Sequence, residues 1–119
     1  MNMLTIEKDK SIYIANKPVD MRKSIDGLCY LVVEELRMNP QGNCLYIFYN
    51  KSKDKLKILC WHKNGFILFY KRLERGKFKL PKDNWDELII SESQLQWLIA
   101  GLDFMLMDEF KSLNYTSFF

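Results

Sequence analysis

Three apolar runs separated by short polar breaks occupy residues 44–71, and this pattern constrains the fold more than any other feature. Cys44 to Tyr49 (CLYIFY), Leu56 to Trp61 (LKILCW) and Phe66 to Lys71 (FILFYK) are rich in the β-branched and aromatic residues that favour strands. The turn-like Asn50-Lys51-Ser52-Lys53-Asp54 separates the first two. His62-Lys63-Asn64-Gly65 separates the second pair, and because Asn64 and Gly65 both tolerate positive φ, the spacing predicts a tight hairpin. The expectation is a three-stranded antiparallel meander, with Phe78 to Leu80 as a candidate for one further strand.

The flanks read as one more strand and two helices. Ser11 to Ala15 (SIYIA) predicts a short strand that ends at Asn16-Lys17-Pro18. Asp20 is expected to cap a helix from Met21 to Leu36, whose apolar stripe is Met21, Ile25, Leu28, Val32 and Leu36. Arg22 and Asp26, four apart, are expected to pair on its outer face. Gly27 inside that helix points to a close approach or a functional constraint. The helix should end before the breakers Asn39-Pro40-Gln41-Gly42. Ser91 and Gln94 have capping-box spacing before a second helix through Ala100, closed by Gly101, with Leu95, Leu98, Ile99 and Leu102 as the buried face. The fold class is therefore α+β: a small antiparallel β-sheet with two main helices packed against it. One domain is expected over residues 1–119, with a core at about 12–104 and terminal extensions at 1–10 and 105–119. The apolar C-terminal extension should either pack back on the domain or await a partner.

Cys29, Cys44 and Cys60 are odd in number and far apart, which suits reduced thiols in a cytoplasmic protein better than disulfides or zinc ligands. The start MNMLTIEKDKS lacks the pattern of a secretion signal, and no apolar run approaches the roughly 20 residues of a membrane span. No membrane partner is expected.

The net charge of +3 hides a sharp asymmetry. From Lys51 to Lys82 there are eleven Lys or Arg against two acids, a surplus of nine positive charges. The remaining chain has seven bases against thirteen acids. A middle third so basic implies an anionic partner, because lysines and arginines neutralise phosphates and release counterions without needing a precise geometry. The candidate nucleic-acid contacts are Lys51, Lys53, Lys55, Lys57, Lys71, Arg72, Arg75, Lys77 and Lys79. Gly76 lets a backbone approach closely between Arg75 and Lys77. Tyr49, Phe66, Phe69 and Tyr70 would offer stacking surfaces if they faced outward, although core filling is the commoner role. Arg22 and Lys23, at a predicted helix start, form a secondary candidate anion site.

Catalytic patterns are weak. The one histidine, His62, precedes a turn, and Cys60, two residues away, has no third group to orient the imidazole. Asp20 and Asp26, six apart on a helix, point in different directions and cannot share a metal. The glycines form no phosphate-binding loop. Neither a cofactor nor a metal nor an enzymatic role is expected.

Two stretches carry a resemblance. DMRKSIDGL, Asp20 to Leu28, and IFYNKSKDKLKILCWHKNGFILFYKRLERGKFKLP, Ile47 to Pro81, resemble the Orf2-like accessory family of bacterial insertion-sequence-66 elements, also called TnpB. The ordered match includes Asn50, Asp54, Lys57, Ile58, Leu59 and Trp61, then Asn64, Gly65, Phe66, Leu68, Tyr70, Lys71, Arg72, Leu73, Glu74, Gly76 and Phe78. It spans about Ile12 to Phe104. Leu80 stands where the family usually has Trp, and His62 where it usually has an acidic or polar residue. The resemblance implies a protein encoded beside a separate DDE-type transposase and needed for the element to move. It supplies no mechanism. The expected function is a nonenzymatic, DNA-binding accessory factor in transposition, with element-end DNA and the transposase as partners and a homo-oligomer also compatible. The alternative is an adaptor that grips the transposase without touching DNA.

Overall fold

The structure, a computed structural model, describes residues 10–82 and 88–107. Five strands form one mixed sheet: β1 (Ser11–Ile14), β2 (Cys44–Tyr49), β3 (Lys55–His62), β4 (Gly65–Arg72) and β5 (Leu88–Ile90), in the order β4-β3-β2-β1-β5. Two helices, α1 (Ile25–Glu34) and α2 (Glu92–Ile99), and a 3-10 turn at Phe104–Leu106 complete it. The α+β class and the β2–β3–β4 meander hold. The sheet is not wholly antiparallel, however. β1 runs parallel to β2, with α1 in the connection between them, and β5 pairs antiparallel to β1. Parallel neighbours require such a crossover.

Directly opposed residues share a face of a sheet, so the register sorts the side chains. Lys57, Phe48 and Tyr70 lie on one face, and Ile47, Ile58 and Phe69 on the other. Residues flanking α1 are tied to the first face, where Lys57 donates to Met21 and Lys23 carbonyls and the Tyr46 hydroxyl donates to the Asn39 carbonyl. On the second face, the Lys71 ammonium donates to the Ile99 carbonyl of α2. Covered on both sides, β2 is buried from Leu45 to Tyr49, which explains why CLYIFY shows no alternation. Lys57 thus lies under the approach to α1. The core joins both faces, with Leu28, Val32, Leu59, Leu95, Leu98 and Phe104 fully enclosed.

The helix starts differ in accuracy. α1 begins at Ile25 behind Ser24, not at Met21, because Asp20 caps a turn instead of a helix. Its carboxylate accepts from the Arg22 N–H at 2.9 Å and from the Arg22 guanidinium at 2.6–3.1 Å. That contact also replaces the expected Arg22–Asp26 pair. Gly27 packs against the Lys23 side chain, whose Cβ lies 3.2 Å from where a Cβ on Gly27 would sit. α2 has the full capping box. The Ser91 hydroxyl accepts from the Gln94 N–H, and the Gln94 side chain accepts from the Ser91 N–H. Gly101 follows at φ 80, the left-handed position that favours glycine. Leu95 and Leu98 are buried as expected, but Leu102 is exposed.

The β3–β4 hairpin turns one residue earlier than the Asn-Gly signal suggests. His62 pairs with Gly65, so the loop is Lys63-Asn64, and Lys63 rather than Gly65 takes the positive φ, 56°. The Asn64 N–H donates to the His62 carbonyl across it. Phe78 to Leu80 forms no strand, although Phe78 and Leu80 are buried. Residues 1–9, residues 83–87 and the tail beyond Met107 lie outside the described residues.

A candidate nucleic-acid interface

The basic middle third is shaped by two loops that meet at one end of the sheet. In the β2–β3 loop, Asn50 organises the turn. Its side-chain amide donates to Asp54 at 2.6 Å, and its oxygen accepts from the Asp54 and Lys55 N–H groups at 3.1 and 3.0 Å. The Asn50 contact holds the Asp54 carboxyl below its ordinary range, with a smaller contribution from Lys55. Lys53 turns the chain at φ 60. The segment after β4 then folds against this loop. The Leu73 N–H donates to the Asp54 carbonyl at 2.8 Å, and the Phe78 N–H donates to the Lys53 carbonyl at 2.7 Å.

Burial of Phe78 and Leu80 leaves Lys77 and Lys79, which alternate with them, exposed. The result is an open groove of about 450 Å³ lined by Lys53, Lys77, Lys79 and Lys82, with Phe78 and Leu80 beneath and Asp103 and Met105 from the 3-10 turn opposite. The Asp103 carboxylate accepts from the Met105 N–H. None of the four lysines has an ion-pair partner among the described residues. Four cations against one engaged carboxylate make the groove suited to a polyanion.

The other candidates divide. Lys51 and Arg75 are exposed on the same two loops and also lack an ion pair among the described residues. Lys55 lies 3.5 Å from the Asp54 carboxylate. Arg72 pairs with Glu74 at 2.8 Å, a contact that raises the guanidinium pKa but leaves both side chains largely exposed. Lys57 and Lys71 direct their ammonium groups at backbone carbonyls of Met21, Lys23 and Ile99. At the secondary site, Arg22 is held by Asp20, which the guanidinium lowers to a pKa of about 2. Lys23 lends its carbonyl to Lys57.

Of the four aromatics, Tyr49 is buried, and its hydroxyl is pushed up to about 12 by that burial. Phe66 and Phe69 are half-buried, with Phe66 edge-on to Trp61. Tyr70 is exposed, with the Lys57 ammonium 5.5 Å from its ring. Cys60 is buried, and among the described residues no three His, Cys, Asp or Glu side chains converge as metal ligands. Among the described residues, no helix is long and apolar enough to cross a membrane. Sequence reading did not single out Lys82, Asp103 or Met105. Lys82 lay within the basic count, but nothing local marks Asp103 and Met105 as neighbours of Lys53.

A family model described as IS66 Orf2 like protein matches residues 10–109. Two proteins of Sinorhizobium fredii are similar. Uncharacterized protein y4hO is 35% identical over 101 residues, covering 85% of this chain and 88% of its own length. Uncharacterized protein y4jC is 37% identical over 92 residues, covering 77% and 79%. No solved structure matches the chain.

Proposed function

The chain belongs to the IS66 Orf2-like family of transposition accessory proteins, and from that membership we propose that it is a nonenzymatic factor that contacts DNA and acts beside a separate transposase. The observation that carries the reading is the groove. Lys53, Lys77, Lys79 and Lys82 converge there from two loops joined by backbone hydrogen bonds, with no ion-pair partner among the described residues. Lys51 and Arg75 are exposed on the same two loops. Lysines held apart on fixed backbone match the sequence-independent backbone contacts that dominate DNA affinity.

The test is a titration of duplex DNA, element ends against scrambled sequence, at several ionic strengths. With about four or five phosphate contacts, log K against log salt should have a slope of roughly −4. A Lys77/Lys79/Lys82→Glu triple variant changes exposed side chains only, so it should fold normally and lose binding. Unchanged affinity in that variant overturns the reading.

A second reading, an adaptor for the transposase, draws on α1. Tyr30 and Val33, three residues apart on that helix, are 64% and 46% exposed. A complex with purified transposase that survives nuclease treatment and depends on Tyr30, in a protein with no DNA affinity of its own, would favour it.

A further inference from the structure

We propose that the free edge of β4 is a self-association surface, where a second copy of this chain pairs its own β4 antiparallel to continue the sheet about a two-fold axis. This goes beyond the DNA reading and does not depend on it. β4 is the outermost strand on its side, and its pairing with β3 runs from Lys55↔Arg72 to His62↔Gly65 without a skipped residue. The opposite edge, β5, is only three residues long. Exposed edges are usually blunted by proline, bulges, central charges or shortness. β4 has none of these, since its only charges are Lys71 and Arg72 at the very end.

His62 and Gly65 close a two-residue loop, so they form a hydrogen-bonded pair. The peptide groups of Gly65, Ile67, Phe69 and Lys71 therefore face β3, and those of Phe66, Leu68, Tyr70 and Arg72 face outward. Among the described residues, none of these four makes a backbone hydrogen bond on the outer side.

Charge selects the occupant. In an antiparallel pair centred on Leu68, Leu68 faces the partner's Leu68 and Phe66 faces the partner's Tyr70. Lys71 and Arg72 then face the partner's Gly65 and the partner's Asn64, so no like charges meet. A parallel arrangement would bring the cationic ends together. The pairing also covers what the single chain leaves bare. Tyr70 is 53% exposed. Phe69 lines an apolar cavity of about 230 Å³ with Leu56, Ile58 and Ile99. The partner's Ile67 would lie beside Phe69 on that face.

The experiment is sedimentation velocity on the full chain over a range of concentrations, with three variants. Leu68→Cys should cross-link under mild oxidation, because directly opposed hydrogen-bonded residues sit about 5.5 Å apart, within disulfide reach. Tyr70→Cys should not, since its counterpart would be about 13 Å away along the strand. Peptide mass spectrometry assigns the linkage, because Cys29, Cys44 and Cys60 are also free thiols. Tyr70→Pro removes an outward-facing N–H of an edge strand, where proline is tolerated, and should sediment as a monomer with unchanged far-ultraviolet circular dichroism. A wild-type chain that stays monomeric at every concentration, or a dimer that Tyr70→Pro leaves intact, overturns the proposal.

Discussion

The ammonium of Lys57 lies 2.7 Å from the carbonyl oxygen of Lys23, a residue 34 positions earlier in the chain. The same ammonium donates to the Met21 carbonyl at 2.8 Å and sits 5.5 Å from the Tyr70 ring. One side chain thus ties the middle of β3 to the turn that launches α1 and to the outermost strand. Lys57→Met keeps much of the aliphatic stem but leaves two part-buried carbonyls without their donor. A loss of about 2 kcal/mol is expected, since hydrogen bonds involving a charged group contribute about 1.5–3 kcal/mol. Urea unfolding monitored by circular dichroism measures it, and an unchanged midpoint would refute the role.

Asp20 gives a pH signature. Its carboxyl is held at about 2, against an ordinary 3.8, chiefly by the Arg22 side chain. Because the folded value is lowered, the contact's stabilisation is complete above 3.8 and is lost as pH falls through about 2. Carboxyl carbon shifts followed by NMR should show this low midpoint. In Arg22→Ala the midpoint should move back toward the ordinary value.

Lys63 occupies a left-handed conformation, φ 56, at the hairpin tip. A side chain there costs roughly 1 kcal/mol relative to glycine, which adopts the region freely. Lys63→Gly should therefore stabilise the protein by about 1 kcal/mol, less any gain in unfolded-chain entropy. The readout is the urea midpoint at unchanged slope.

Asn50 holds the loop that presents Lys53. Asn50→Ala removes its donation to Asp54 and its acceptance from the Asp54 and Lys55 N–H groups. A cost of about 2 kcal/mol is expected from these part-buried bonds. The Asp54 carboxyl should also move up toward its usual range, because the Asn50 contact is the main cause of its lowering. Faster hydrogen exchange at the Phe78 amide, which donates to Lys53, would show that the groove loosens with the loop.

Much of the fold was legible where the determinants are local. Strand composition between Cys44 and Lys71 located the meander, and the Ser91–Gln94 box with Gly101 located α2 almost to the residue. Errors came where a distant or competing partner decided. Asp20 has the chemistry of a helix cap, but the Arg22 guanidinium two residues on captures it. Ile12 and Ile14 gave a strand, yet nothing local says that it lies parallel to β2 or receives β5. Charge counting found the basic third but could not sort it. Lys57 and Lys71 are bound to carbonyls 34 and 28 residues away, whereas Lys77 and Lys79 are exposed in alternation with the buried Phe78 and Leu80.

The two backbone bonds that join the β2–β3 loop to the segment after β4 do not depend on which side chains occupy positions 77, 79 and 82. Scaffold and chemistry are thereby uncoupled. Substitution at those three sites can change the charge, reach or bulk of the patch while the platform beneath them persists. The patch is then free to vary without the fold that displays it having to change.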